Sequence, residues 1–153
     1  LIRAADFMTR DLTAVMPTDL IEDAVQLLAA HRLTGVPVVE EDWRLVGFLS
    51  ERDVLKLALP TFLEIVAGTT FLEEDQMLLS KLRSIGKRRV EEVMNREVVC
   101  VDVNASLLSV ADLLIRGRVK RLPVVDGGKL VGVIDRGSFC EFMLEGDHGK
   151  GKP

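Results

Sequence analysis

Aromatic side chains are scarce in this chain of 153 residues: there is no Tyr, one Trp and six Phe, 5 % in all. With 48 % hydrophobic residues, any core must therefore be aliphatic, and a chain of this length buries enough surface to need no disulfide or metal staple. Thiols and imidazoles are equally few. Two Cys and two His, the latter at positions 31 and 148, offer no zinc-ligand spacing, so the sequence argues against a metal centre. Cys100 in "EVVCV" and Cys140 in "SFCEFML" read as small buried hydrophobes, with a disulfide between them as the other reading. Missing too is any apolar run near the roughly 18 to 20 residues that span a bilayer, and the basic-then-apolar start of a secretory signal. No membrane association is expected, and the chain, which begins at Leu1, reads as cytoplasmic. An excess of positive charge is also absent. At a formal net charge of −4, nucleic-acid binding is not expected, although two basic clusters stand out, Lys81 to Arg89 and Arg116 to Arg121.

What the sequence does contain is a repetition. "GVPVV" followed by "RLVGFLS" in the first half returns as "RLPVV" followed by "KLVGVI" in the second, about 86 residues later. Met8 matches Met94, Val15 matches Val101, Leu27 and Leu28 match Leu113 and Leu114, Arg32 matches Arg118, and Pro37-Val38-Val39 matches Pro123-Val124-Val125. Beyond a turn that is one residue longer in the first copy, Leu45-Val46-Gly47 matches Leu130-Val131-Gly132. Each copy reads as strand, helix, strand, strand, helix. In the first, Leu20, Ile21, Ala24, Val25, Leu27 and Leu28 recur at helical spacing behind Asp19 as N-cap, and a second helix is expected from Ser50 to Pro60. In the second, helices are expected at 106–115 and 137–144.

A three-stranded sheet with two helices on one face leaves the other face bare, and a unit of about 55 residues hardly supports a core alone. Two units packed sheet to sheet remove both difficulties. The predicted fold is therefore α+β: pseudo-symmetric β-α-β-β-α units at 5–59 and 90–145, a helical connecting insertion at 60–89 and a flexible tail at 146–153. Within the insertion, Thr61 with Glu64 and Thr70 with Glu73 have capping-box spacing, and Gly68 and Gly86 stand where helices stop. Phe71, Leu72, Leu78, Leu79, Leu82 and Ile85 form an apolar stripe that packs on its own module or a dimer mate, or else docks another protein.

These ordered residue sets, covering nearly everything from Ala5 to Glu145, resemble the CBS-domain family in its tandem form, the Bateman module. The resemblance implies two paired units with clefts between them that take adenosine-containing ligands: AMP, ADP, ATP or S-adenosylmethionine. It also implies regulation of an attached or associated enzyme or transporter, no required cofactor, and a homodimer. The family's ribose motif, glycine, two apolar residues, Ser or Thr, two variable residues and Asp, is present as Gly47-Phe48-Leu49-Ser50-Glu51-Arg52-Asp53. An ionised Asp53 can accept from both ribose hydroxyls, while Ser50 and the helix N-terminus, with Arg52 beside them, face a phosphate. Ser50 with Asp53 is equally a capping pair that needs no ligand.

The second copy departs from the motif: Asp135 replaces the hydroxyl residue and Ser138 the carboxylate, so a second nucleotide site is in question. Lys120 and Arg121 stand before "PVV" where the first copy has Thr34 and Gly35, and are either phosphate ligands or exposed surface. By the same resemblance Thr13, Val15, Val36 and Pro37 would hold the adenine, although apolar strand residues are core by default. A ligand-independent dimerisation or docking module is the alternative function. Catalysis is not expected: there is no nucleophile elbow, P-loop or metal-binding His pair.

Overall fold

The computed structural model describes residues 1–68, 73–117 and 119–145. The predicted cap at Thr70, the stripe residues Phe71 and Leu72, the matched Arg118, and the tail with His148 lie outside the described residues. In chain order the elements are α1 (Ala4–Phe7), α2 (Ile21–His31), β1 (Gly35–Val39), β2 (Leu45–Ser50), α3 (Glu51–Lys56), α4 (Leu59–Val66) and α5 (Glu74–Gly86). After a 3-10 turn at Val90–Glu92 come β3 (Val101–Asp102), α6 (Leu107–Arg116), β4 (Arg121–Asp126), β5 (Lys129–Asp135) and α7 (Arg136–Glu145). The result is the mixed α+β fold expected.

Two compact units result, and neither is contiguous in sequence. Unit 1 joins residues 1–13 and 42–45 to 98–153, and unit 2 joins 14–41 to 46–97. Each thus contains the body of one copy and the lead-in residues of the other.

In unit 2, β1 and β2 pair in a two-stranded sheet, with α2 and α5 packed together. All five residues of β1 are buried, whereas β2 is only intermittently so. The core is aliphatic: Ile21, Ala24 and Leu28 on one face of α2 meet Val36, Val38, Leu49, Val54, Ile85, Val90 and Met94. Of the described stripe residues, Leu78, Leu82 and Ile85 belong to this core and pack on their own unit, whereas Leu79 is exposed. Unit 1 is a three-stranded sheet in which β3 runs parallel to β4 and β4 antiparallel to β5, covered by α6 and α7. Its core includes the few aromatics available: Phe7 meets Phe139 edge-on at 5.6 Å and Phe142 at 5.0 Å.

Several local expectations are corrected. The first strand of the first copy shrinks to one parallel bridge, Val15 to Val38, although its register reproduces Val101 to Val124 of the second copy. Pro17, which has no amide donor, follows two residues later and stops a ladder from growing. The helix that starts after Ser50 ends at Lys56 and not at Pro60. Pro60 instead occupies the first turn of α4, where its missing donor costs nothing. Thr61 lies buried inside α4 and caps no helix. Asp19 does not cap α2: the N-cap is Leu20, while Asp19 Oδ2 accepts from the Met16 amide at 2.8 Å. Cys100 and Cys140 are free and exposed, because "EVV" is unpaired coil and Cys140 lies on the outer side of α7 from Phe139. Among the described residues no helix is long and apolar enough to cross a membrane.

Candidate functional site

The strand-to-helix junction at Ser50 begins with backbone geometry. Ser50 ends β2 in an extended conformation, with φ −117 and ψ 156, and the chain turns directly into α3. The Glu51 amide donates to the Thr34 carbonyl at 2.9 Å, which fixes the helix start beside the beginning of β1. The Asp53 amide donates to Ser50 Oγ at 3.1 Å, and Asp53 Oδ2 accepts from the Ser50 amide at 3.3 Å and from the Ser50 hydroxyl at 2.9 Å. This is a complete capping box, so the capping role is present. It does not exhaust the residue: a carboxylate has about four acceptor sites on two oxygens.

Val15, Val36 and Pro37 are buried in the same unit, and the Val15 amide donates to the Pro37 carbonyl at 3.1 Å. Unit 2 therefore collects Val15, Val36, Pro37, Ser50 and Asp53, with Arg52 exposed on α3.

Thr13, Lys120 and Arg121 belong to unit 1, where Thr13 and Arg121 hold a residue that the sequence reasoning missed, Asp11. The Asp11 carboxylate accepts from the Thr13 hydroxyl at 2.6 Å, from the Thr13 amide at 2.9 Å and from Arg121 at 2.9 Å. These bonds, the Thr13 hydroxyl foremost, hold its carboxyl below the ordinary 3.8 against the opposing effect of burial. The Asp-x-Thr spacing of an Asx turn was the available signal.

Arg121 is not the open surface residue of one expectation: only 13 % of its side chain is exposed, and it also lies 3.8 Å from Asp135. Its Nε is buried with no hydrogen-bond partner. Lys120 is exposed. Asp135 caps α7 through its bond from the Ser138 amide at 2.7 Å, so the departure from the motif preserves the helix start. Ion pairs from Lys87, Arg88 and Arg89 to Glu22, Glu92 and Glu91 make the other basic cluster a solvated face. Among the described residues no group of His, Cys, Asp and Glu is placed to hold a metal ion.

Two α+β units with matched registers and matched capped junctions define a tandem-repeat protein. The chain belongs to the CBS domain family, which matches residues 4–59 and 90–145. It is 36 % identical over 152 residues to the chloroplastic CBS domain-containing protein CBSX1 of Arabidopsis thaliana, covering 92 % of this chain and 63 % of that one. The chain thus spans less than two thirds of this relative's length. The crystal structure of CBSX2 in complex with AMP is 32 % identical, with a TM-score of 0.70 over 94 % of this chain and 96 % of that one. The inosine-5'-monophosphate dehydrogenase of Methanocaldococcus jannaschii is 26 % identical over 133 residues, 86 % of this chain but 22 % of the enzyme.

Proposed function

We propose that the chain is a non-catalytic regulatory module that binds an adenine nucleotide, of which AMP has the best support, and responds by rearranging its halves or a homodimer of the chain. The observation that carries this reading is the AMP complex of CBSX2, similar over nearly the whole of both chains, together with the intact Gly47 to Asp53 motif. Asp53 would accept from the ribose hydroxyls, and Ser50 and Arg52 would face phosphate. Arg121 Nε, a donor without an acceptor, supports a phosphate role for the pair Lys120 and Arg121. Thr13, Val15, Val36 and Pro37 complete the proposed set around the base.

A regulated enzyme or transporter fits a module that takes up only 22 % of a dehydrogenase in one relative. The cytoplasmic placement stays an expectation, since CBSX1 is chloroplastic. S-adenosylmethionine has no comparable support. Residues 5–59 and 90–145 are our proposed sequence boundaries for the two CBS units.

Calorimetric titration with AMP, ADP, ATP and S-adenosylmethionine tests the reading. Saturable binding of at least one adenine nucleotide is expected. Heat from none of them, with the chain folded, would favour a ligand-independent docking module.

A further inference from the structure

Arg121, the first residue of β4, keeps its guanidinium nearly buried beside two carboxylates of unit 1. The two hold it differently. Asp135 Oδ2 stands 3.8 Å from Nη1, beyond hydrogen-bond reach, and the other oxygen of Asp135 accepts from the Ser138 amide at the start of α7. Asp11 Oδ2 accepts directly from Nη2 at 2.9 Å, while its Oδ1 accepts from the amide and the hydroxyl of Thr13. Asp11 can therefore release Arg121 and keep the bonds of its own turn. The guanidinium that it holds is incompletely satisfied: among the described residues Nε has no hydrogen-bond partner, although it is buried and belongs to a group with five donors. A buried donor left unpaired costs free energy, which an acceptor able to take Nε and an Nη together would recover. A phosphate group has the oxygens for that fork, whereas Asp11 reaches Nη2 alone.

Because Nε is closed off where it stands, a phosphate engages it only when the guanidinium turns, and the turn breaks the bond to Asp11. We propose that Asp11 is an internal counter-ion which ligand phosphate must displace from Arg121, so that this residue determines how strongly unit 1 answers to a nucleotide as against the bare nucleoside. The inference rests on the phosphate role given to Arg121 in the proposed function and adds the residue that regulates it. Asp11 is bonded to Thr13, after which the chain passes from unit 1 to unit 2, so the exchange takes place next to that connection.

Calorimetric titration of AMP and of adenosine into the wild type and into Asp11→Asn tests it. Asparagine keeps an oxygen for the Thr13 bonds and loses the charge that holds Arg121. The variant is expected to bind AMP at least about fivefold more tightly than the wild type, the gain if Arg121 is free no more than about a fifth of the time. Its affinity for adenosine should stay within about twofold of wild type. AMP binding that appears in the variant alone would support the proposal, with Asp11 closing the site outright. AMP affinities within about twofold of each other, or an equal gain for adenosine, would overturn it and leave the nucleotide reading standing. No AMP binding by either chain would overturn both. In the wild type, where no substitution can disturb folding, the NMR signal of the Arg121 Nε–H group is expected to shift with AMP and to stay in place with adenosine. A signal unmoved at saturating AMP would rule out the exchange.

Discussion

Asp11 shows how much one residue escapes a reading of the sequence. Arg121 was legible as a basic residue before "PVV", but its partner is 110 positions away, and only folding brings the two within 2.9 Å. Asp53, in contrast, was legible because its interactions are local, three residues from Ser50 in a pattern that the helix start itself dictates. A prediction belongs at this scale. Because the folded Asp11 carboxyl titrates below its ordinary 3.8, its bonds stabilise the fold above the unfolded value and are lost as pH falls through the folded one, below about pH 4. Thr13→Val removes the hydroxyl, the largest cause, and keeps the amide. The Asp11 midpoint, followed by carboxyl NMR, is expected to move up toward 3.8. An unmoved midpoint would assign the shift to the Thr13 amide and Arg121, which the variant keeps.

At the scale of elements, "PVV" and "LVG" became strands in both copies, since short β-branched runs next to turns have few alternatives. The helices were legible from periodicity, but their ends were not: Asp19 has capping chemistry and accepts from the Met16 amide, and Thr61 lies buried inside α4. The matched glycines explain part of the repeat. A Cβ at Gly132 would stand 2.7 Å from the Thr9 carbonyl oxygen and 2.8 Å from Met8 Sδ, while one at Gly47 would meet Met94 Sδ first and the Asn95 carbonyl only at 3.3 Å. Backbone cannot yield as a methionine side chain can. Gly132→Ala is therefore expected to cost about 1 to 3 kcal/mol, the range for overpacking, and Gly47→Ala less, by denaturant unfolding. Equal costs would mean that Met94 is as fixed as backbone.

At the scale of the whole molecule, the repeat makes two half-folds legible but not which compact unit each lead-in segment joins. Met8 and Met94 were matched as equivalent lead-in residues, yet Met8 packs in unit 1 on Gly132 and Met94 in unit 2 on Gly47. Periodicity cannot show which copy a lead-in segment joins, because both sheets offer the same register. The exchange has a thermodynamic consequence: neither copy, cut out at its sequence boundary, contains a whole unit. Residues 1–59 alone are expected to show no cooperative unfolding, measured by calorimetry, whereas the full chain should unfold cooperatively. A sharp transition for the fragment would contradict this.

The regulatory proposal itself turns on Asp53. If its carboxylate holds the ribose, Asp53→Ala should lose about 1.5 to 3 kcal/mol of binding, roughly ten- to 150-fold in affinity. The same substitution removes half of a capping box, so a thermal melt must accompany it to show that α3 and the core persist. The decisive measurement is calorimetric titration of AMP into the wild type and into Asp53→Ala side by side. The account predicts saturable binding to the wild type and at least a tenfold weaker affinity in a variant that remains folded. Equal affinities within twofold would contradict it.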